Sequence, residues 1–300
     1  MLGKNYVKKG DYVSIIAPAG KISKEVVFSA KSVLESWGLN VILGKNLFKN
    51  HFKYSATDRQ RLEDFQDALD SKEIKAIICA RGGYGLIRII DKIDFTKFYE
   101  NPKWIVGFSD ICILHSYVNN LFKIPTIHGP MCNGFLQEEN KSSLKYLKSI
   151  LFGKFPFYEI PTNKLNKIGK AKAVLIGGNL SIIDSLIGSK SDFDPKGKIL
   201  FIEETGEYLY KIDRMMWGLK RSGKLKYLSG LIVGEFSETM EKANVFGKNA
   251  YEIISEIVEN YDFPVCFDFP SGHGNINYPL IFGNKITLSV EEKSSFLNFD

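Results

Sequence analysis

Short apolar runs alternate with stretches of helical periodicity along the first half of the chain. The runs are almost uninterrupted, as strands covered on both faces require, and the stretches between them place apolar residues on one helix face. The predicted strands are 12–17, 40–43 and 74–80, the predicted helices are 23–37, 57–69 and 86–93, and 103–122 combines a strand, a tight turn and a helix before a short strand within 124–130. This alternation predicts an α/β fold whose N-terminal part is a doubly wound, Rossmann-like parallel sheet.

A stretch rich in Lys, Asn and Pro at 153–172 lacks clear periodicity. We expect the chain to cross there from an N-terminal domain, 1–152, to a C-terminal domain, 173–300. The second part has its own elements, which are predicted strands at 198–204, 230–236, 264–269 and 286–290 and predicted helices at 211–223 and 249–260. The sequence therefore predicts a second, mixed α/β domain.

The turn GFSD places Ser109 between the strand and the helix of 103–122. In such a turn the hydroxyl projects above the sheet edge, where a nucleophile stands, and the N–H groups that open the helix point toward an approaching group. The esterase pattern G-x-S-x-G ends in glycine, however, and this chain has Ile111 there. On the turn alone, Ser109 or Asp110 as a simple helix cap is the favoured interpretation.

The glycine-rich stretch RGGYG, 81–85, follows another predicted strand, so it should lie beside the GFSD turn at the carboxyl edge of the sheet. It lacks the spacing of a dinucleotide-binding or P-loop motif. Two interpretations remain, a tight turn that needs positive φ at Gly82 or Gly83, and a set of exposed backbone N–H groups that receive an oxyanion.

The chain contains four histidines, so few residues are candidates for a general base. His51 lies in a polar loop, and His115, six residues after Ser109, suits packing or a local hydrogen bond. His128 ends a predicted strand, where a site role and a backbone hydrogen bond explain it equally well. His273 stands between two glycines after a buried strand, where the backbone is free to present an imidazole, and we favour it as the base.

A serine–histidine pair needs a carboxylate that holds the imidazole tautomer. Glu203 and Glu204 end the predicted strand 198–204, and in an extended strand they point to opposite faces, so only one of them would reach the site. Glu207 and Asp213 suit the start of the following helix better. The pattern by itself leaves the choice between Glu203 and Glu204 open.

Composition and charge exclude several classes of protein. The chain has 44% hydrophobic and 25% charged residues, the profile of a soluble globular protein, and its net charge of +6 comes from scattered lysines, so we expect neither nucleic acid nor a membrane as a partner. The apolar run 12–17 is too short for a secretion signal, and no run reaches the roughly twenty residues of a membrane span. We therefore expect a cytoplasmic protein with reduced core cysteines and no metal site.

Taken together, these motifs resemble the LD-carboxypeptidase family of serine peptidases, which also contains microcin-immunity-type peptidases. The order and spacing of the motifs make the resemblance specific over nearly the whole chain. The motifs are IIAPAG (15–20), ATDRQR (56–61), ICARGGYG (78–85), IVGFSD (105–110), IHGPM (127–131), IGGNLS (176–181), ILFIEETGEYLYKIDRMMWGL (199–219) and FPSGHGN (269–275).

The resemblance implies a Ser–Glu–His triad of Ser109, Glu203 and His273, and an oxyanion hole from the backbone N–H groups of Gly83 and Asp110. It also implies a cytoplasmic homodimer of two-domain subunits that needs no metal or other cofactor.

The implied reaction cleaves the bond between the L-configured centre of a diamino acid and a terminal D-alanine in murein tetrapeptides during wall recycling. Such a peptide ends in a carboxylate, and Arg81 and Arg214, each beside a site motif, are candidate cations for it. One alternative within the family is a self-immunity peptidase that cleaves a peptidyl-nucleotide antibiotic. Another, from a different class, is a non-catalytic two-domain ligand-binding module.

Overall fold

The computed structural model describes residues 6–241 and 245–299 of the chain. The first half of the chain alternates strands with helices, as the apolar pattern predicts. In order, its elements are β1 (Tyr12–Ile16), α1 (Lys24–Ser36), β2 (Asn40–Leu43), α2 (Asp58–Asp70), β3 (Ile74–Cys79), α3 (Thr96–Glu100), β4 (Trp104–Gly107), α4 (Cys112–Phe122), β5 (Thr126–His128) and α5 (Lys141–Leu151).

The second half of the chain is richer in strands. Its elements are β6 (Phe157–Pro161), β7 (Gly169–Asn179), α6 (Leu180–Ser185), β8 (Lys198–Thr205), α7 (Leu209–Arg221), β9 (Gly230–Ser237), α8 (Ala250–Val258), β10 (Val265–Cys266), β11 (Leu280–Phe282), β12 (Lys285–Val290) and β13 (Ser294–Phe299).

Two sheets organise these elements. The first has the order β11-β5-β4-β3-β1-β2 and is parallel except for β11, which runs antiparallel to β5. The second has the order β10-β9-β8-β7-β12-β13-β6, with a parallel half from β10 to β7 and an antiparallel half from β12 to β6. The predicted fold class, a doubly wound N-terminal sheet followed by a mixed α/β part, is confirmed.

Local capping explains where the early helices begin. Ser23 accepts a hydrogen bond from the backbone N–H of Val26 at the start of α1, and Gly38, with φ +87°, follows its end. Thr57 and Gln60 form both hydrogen bonds of the predicted capping box at the start of α2. The capping signals in the sequence therefore predicted these two helices correctly.

The helix predicted at 86–93 is wrong in type. The segment forms two 3₁₀ turns, Leu86–Arg88 and Ile90–Lys92, held by i→i+3 hydrogen bonds. Branched isoleucines at 87, 89 and 90 disfavour a regular helix, and the N–H of Leu86 is taken by a side chain from another loop.

The stretch predicted as a linker, 153–172, contains β6 and the first residues of β7. Strand β6 lies at the edge of the second sheet, where Tyr158 and Ile160 face the core and their neighbours face outward. A five-residue edge strand that ends in a proline gives little periodicity, which is why the pattern did not reveal it. The domain ranges 1–152 and 173–300 themselves stay predictions.

We call the first sheet with its helices the first lobe and the second sheet with its helices the second lobe. The main hydrophobic core is shared by these two lobes. The larger cluster of buried apolar side chains contains Ile105 and Ile127 of the first sheet together with Phe201, Ile232 and Leu288 of the second. A smaller cluster packs α6, α7 and α8 against the second sheet. Among the described residues, no helix combines the length and the apolar character that crossing a bilayer requires.

Candidate active site

The turn after β4 holds Ser109 in a strained conformation. Ser109 has φ +63°, in the left-handed region that residues with a Cβ rarely occupy, and it is half-buried. It opens a 3₁₀ turn, Ser109–Ile111, that leads into α4. Within the described segment 108–112, no side chain caps the 3₁₀ turn or the start of α4. The simple capping interpretation therefore does not account for the serine.

The glycine-rich loop 81–85 lies directly against this serine. A Cβ placed on Gly82 would stand 2.7 Å from the Cβ and 2.9 Å from the Oγ of Ser109. The carbonyl of Gly82 accepts a hydrogen bond from the N–H of Gly20 at 2.8 Å, and Gly83 has φ +94°. The predicted proximity of the two loops is confirmed, and Gly83 has the positive φ that the tight-turn interpretation requires.

Asp110 ties the serine turn to the same loop through its side chain. Its Oδ2 accepts a hydrogen bond from the N–H of Leu86 at 2.8 Å, and the residue is buried. Burial raises the pKa of Asp110 to about 6, although the N–H groups of Leu86 and Gly85 and the charge of Arg61 oppose the rise. Sequence reasoning considered Asp110 as a helix cap and, through the family resemblance, as a backbone donor, and it missed this bond, because nothing in the motif indicates where the side chain points.

Glu203 of β8 and His273, in the loop that follows β10, are hydrogen-bonded to each other. Nδ1 of His273 lies 2.7 Å from Oε2 of Glu203, whose side chain is fully buried at the end of β8. The φ of Gly272, +147°, favours glycine here, and a Cβ at that position would also stand 3.2 Å from the same carboxylate oxygen, closer than ordinary contact. A carboxylate on Nδ1 fixes the tautomer in which Nε2 is free to accept a proton.

The charges around His273 favour its protonated form. Burial lowers the pKa of the imidazole, but the hydrogen bond and the charge of Glu203, with the charges of Glu204 and Glu235, outweigh it and raise the pKa above its ordinary value. The site therefore stabilises an imidazolium, the species that a general base becomes after it takes a proton.

The two adjacent glutamates have different environments, as the alternation of a strand predicts. Glu204 points away from His273 and accepts hydrogen bonds from the side chain of Asn179 at 2.9 Å and from the N–H groups of Ser181 at 2.7 Å and Thr205 at 2.9 Å. Its carboxylate is therefore occupied in joining β8 to the start of α6.

Phe108 connects the histidine to the serine turn. Its ring packs edge-on against the imidazole of His273, with 4.8 Å between ring centroids, and Ser109 is the next residue along the chain. The hydrogen bonds found among the described residues do not include one between the Ser109 hydroxyl and Nε2 of His273. Catalytic hydrogen bonds are often long before substrate binds.

The other two candidate histidines of the first lobe are packing residues. Nε2 of His115 lies 2.8 Å from the carbonyl of Gly107, and burial lowers the pKa of His115 to about 4. His128 is buried beside the rings of Phe201 and Phe282, and burial holds its pKa well below the ordinary value. Both imidazoles are therefore neutral.

A cavity of about 180 Å³ opens beside His273. Its polar lining consists mainly of side-chain amides, and among the described residues that line it there is no carboxylate; the amides are those of Asn133, Gln137, Asn140 and Asn277. Asn277 connects the cavity wall to the loop that carries His273, residues 271–275, which we call the histidine loop. Its Oδ1 accepts hydrogen bonds from the hydroxyl of Ser271 and from the N–H of Gly272. Sequence reasoning did not identify these amides, because they lie outside the recognised motifs.

The two arginines singled out by sequence have different positions. Arg81 lines the cavity, and its guanidinium donates to the carbonyl of Lys21 at 3.0 Å. Arg214 is exposed on α7 with its guanidinium 5.3 Å from the ring centroid of Tyr210, and it is not among the described residues that line the cavity.

Comparison with known proteins places both halves of the chain in one family. Residues 13–129 match the model of the LD-carboxypeptidase N-terminal domain, and residues 172–288 match that of the LD-carboxypeptidase C-terminal domain. The murein tetrapeptide carboxypeptidase of Pseudomonas aeruginosa is 30% identical over 288 residues, which cover 92% of this chain and 92% of that protein.

A solved structure and a more distant relative agree with this assignment. The muramoyltetrapeptide carboxypeptidase from Oxalobacter formigenes superposes with a TM-score of 0.87 at 26% identity, over 96% of this chain and 98% of that one. The microcin C7 self-immunity protein MccF of Escherichia coli is 25% identical over 94% of this chain and 91% of its own length.

Proposed function

Because the chain belongs to the LD-carboxypeptidase family and is a serine-type carboxypeptidase, we propose that it releases the terminal D-alanine from murein tetrapeptides in cell-wall recycling. The observation that carries the proposal is the hydrogen bond between Glu203 and His273 beside the strained turn of Ser109. Membership of a family of serine-type carboxypeptidases counts against the alternative of a non-catalytic ligand-binding module.

In the proposed mechanism, Oγ of Ser109 attacks the carbonyl carbon of the scissile peptide bond while Nε2 of His273 takes the hydroxyl proton. Glu203 holds Nδ1 and stabilises the imidazolium. His273 then gives the proton to the nitrogen of the leaving D-alanine, the C–N bond breaks, and an acyl-enzyme remains. A water molecule, deprotonated by His273, hydrolyses this ester and releases the shortened peptide.

The proposed oxyanion hole consists of the backbone N–H groups of Gly83 and Asp110. The contact of Gly82 with the serine side chain supports this assignment, because it brings the glycine-rich loop to within one residue of the nucleophile. The bond from Asp110 to Leu86 supports it further, since it connects the two segments that supply the donors.

The amide-lined cavity is the proposed site of the leaving D-alanine. Its volume of about 180 Å³ suits a small residue, and Arg81 supplies a cation for the free carboxylate. The position of Arg214 over Tyr210 gives no support to the same role, so Arg81 is the better candidate of the two.

Incubation of the purified protein with murein tri-, tetra- and pentapeptides, followed by mass spectrometry, tests the proposal. We expect loss of one alanine from the tetrapeptide and no reaction in the Ser109→Ala variant. A fluorophosphonate probe separates the chemistry from the substrate. If it labels the wild type and not Ser109→Ala while no murein peptide is cleaved, the serine enzyme stands and the murein substrate is wrong.

The similarity to MccF supports one second candidate, a self-immunity peptidase that cleaves a peptidyl-nucleotide antibiotic. The same assay with a peptidyl-nucleotide distinguishes the two, and we expect the murein tetrapeptide to be preferred. We also propose a cytoplasmic homodimer, as the family resemblance implies. Light scattering of the purified protein would measure the mass of the assembly, and a monomer would contradict the homodimer.

A further inference from the structure

A second carboxylate lies against the loop that carries His273. Glu235 is a half-buried residue of β9, and its N–H donates to the carbonyl of Ser271 at 3.0 Å. A Cβ placed on Gly274 would overlap its carboxylate, at 1.8 Å from Oε2 and 2.1 Å from Oε1. The carboxylate therefore rests directly on the backbone that follows His273, where the N–H of Gly274 favours its charged form.

The two glycines that flank His273 are thus each in contact with an acidic residue. A Cβ on Gly272 would stand 3.2 Å from Oε2 of Glu203 and 3.1 Å from Cβ of Glu235. Because Gly274 has no side chain, the carboxylate of Glu235 can occupy the space where its Cβ would stand. The loop has glycines here because side chains at these two positions would displace the carboxylates, in addition to the backbone freedom that the sequence suggested.

We propose that Glu235 is a positioning residue for the catalytic base, His273. Glu235 holds the backbone after His273 and stabilises the imidazolium that forms when His273 takes a proton. The inference rests on the proposed triad and adds a second carboxylate to it. Glu203 holds the ring through Nδ1, and Glu235 holds the peptide segment from which the ring projects.

Several charged and titratable groups act on Glu235 and His273. The imidazole of His273 bonds Glu203 of β8, and the charges of Glu204, which points away from it, and of Glu235 on β9 also act on it. The charge of His273 in turn reaches the neutral His128 of β5. Burial raises the pKa of Glu235 above its ordinary value, the charges of Glu203 and Asp268 add to the rise, and the N–H of Gly274 and the charge of His273 oppose it. Tyr251 of α8 also lies within the field of Glu235.

The variant Glu235→Gln separates the charge of the side chain from its shape. The amide keeps the shape that packs on Gly274, whereas the negative charge beside His273 is lost. Because that charge raises the pKa of His273, we expect the acidic limb of the kcat/KM profile to move to lower pH. The alkaline plateau should fall by no more than about tenfold, since the geometry of the loop is kept.

The variant Glu235→Ala removes both the charge and the side-chain atoms that pack on Gly274. We expect kcat to fall by about 10- to 100-fold with little change in KM, because the loop no longer holds the imidazole in place. Thermal unfolding shows whether this variant folds, and if it does not, Glu235→Gln decides alone. A residue with a merely structural role would change the melting temperature and leave the pH profile where it is.

Nuclear magnetic resonance provides a test that needs no substrate. In protein labelled at the histidine side chains, the signal of His273 is assigned by its loss in His273→Gln, and we expect its titration midpoint to be lower in Glu235→Gln than in the wild type. The matched control is Asp184→Asn, which removes another partly buried carboxylate, on α6, that is not among the groups acting on His273.

The titration tests the role of Glu235, and the activity assay tests the proposed substrate, so either result can be negative without the other. Superimposable titrations of His273 in the wild type and in Glu235→Gln would overturn the inference, as would an equal shift in Asp184→Asn. If no murein peptide is cleaved but the titration shifts as expected, the proposed substrate is wrong and the role of Glu235 beside the histidine is supported.

Discussion

The conformation of Ser109 lowers the stability of its turn and is consistent with the proposed role of its hydroxyl as the nucleophile. Its φ of +63° costs a residue with a Cβ about 1 kcal/mol or more, and no cap hydrogen bond of its side chain offsets that cost within 108–112. A turn of this kind between a strand and a helix exposes a hydroxyl, as the proposed nucleophile requires and a structural serine does not.

Substitution of Ser109 should separate the two effects. We expect Ser109→Ala to lower kcat by about 10⁶-fold, because the reacting oxygen is gone. Ser109→Gly should be equally inactive but about 1 kcal/mol more stable than Ser109→Ala, since glycine adopts positive φ without strain. Urea unfolding measures the stability, and an alanine variant that is as stable as the glycine variant would contradict the argument from strain.

Asp110 should make stability depend on pH in a way that its amide analogue does not. Its pKa is raised from 3.8 to about 6, so its contribution to stability is full below about pH 4 and is lost as pH rises to about 6. The gap corresponds to about 3 kcal/mol. We expect Asp110→Asn, which still accepts from Leu86, to lack this loss.

The measurement is the difference in unfolding free energy between the wild type and Asp110→Asn at several pH values. Contributions of other groups cancel in that difference, which should change in favour of the variant by about 3 kcal/mol between pH 4 and pH 7. A difference that stays constant over this range would show that the carboxyl is not perturbed.

At the scale of elements, the site is built by loops that follow strands. The glycine-rich loop follows β3, the serine turn follows β4, and the glutamate ends β8, so parallel strands bring the three segments to adjacent sheet edges. Contact between the glycine-rich loop and the serine turn depends on Gly82, which has no side chain to separate them.

Gly82→Ala should therefore damage catalysis more than folding. The added Cβ would stand 2.7 Å from the Cβ of Ser109 and 3.2 Å from the carbonyl oxygen of Phe108, so the loop must move and its N–H donor with it. We expect kcat to fall by about 10²- to 10³-fold, the effect of losing one oxyanion donor.

The control is Gly218→Ala in α7, where the added Cβ meets only Oδ1 of Asp184, at 2.9 Å, which is the far end of a side chain and can shift. We expect this variant to keep wild-type kcat. Equal activity of the Gly82 variant and this control would remove the glycine-rich loop from the proposed oxyanion hole.

At the scale of the whole molecule, the two lobes share their interior. Strand β11 comes from the C-terminal half of the chain and pairs with β5 in the first sheet, and the larger core cluster includes side chains of both sheets. Neither half can bury its apolar surface alone, so the two lobes should unfold together.

Fluorescence can test this cooperativity because the tryptophans are unevenly placed. Trp37 and Trp104 are buried in the first lobe, and Trp217 is exposed on α7 of the second. In the variant Trp217→Phe, fluorescence reports only the first lobe, whereas far-ultraviolet circular dichroism reports both. We expect the two urea transitions to coincide, and separate midpoints would show that the lobes unfold independently.

The sequence by itself determined the elements whose signals are local. Apolar runs marked β1, β3 and β8, and the capping box of Thr57 marked α2, because burial on both faces and hydrogen bonds within one turn depend on neighbouring residues. The alternation of a strand also predicted that Glu203 and Glu204 would separate, which needs no knowledge of the rest of the chain.

Only the tertiary structure decided how distant segments meet. The bond from Asp110 to Leu86, the contact of Glu235 with Gly274 and the pairing of β11 with β5 join residues whose local sequence gives no sign of a partner. The edge strand β6 was hidden for the same reason, since its pairing with β13 forms its structure and its own five residues do not. Contacts across the chain depend on how the sheets pack, and no window of sequence contains that information.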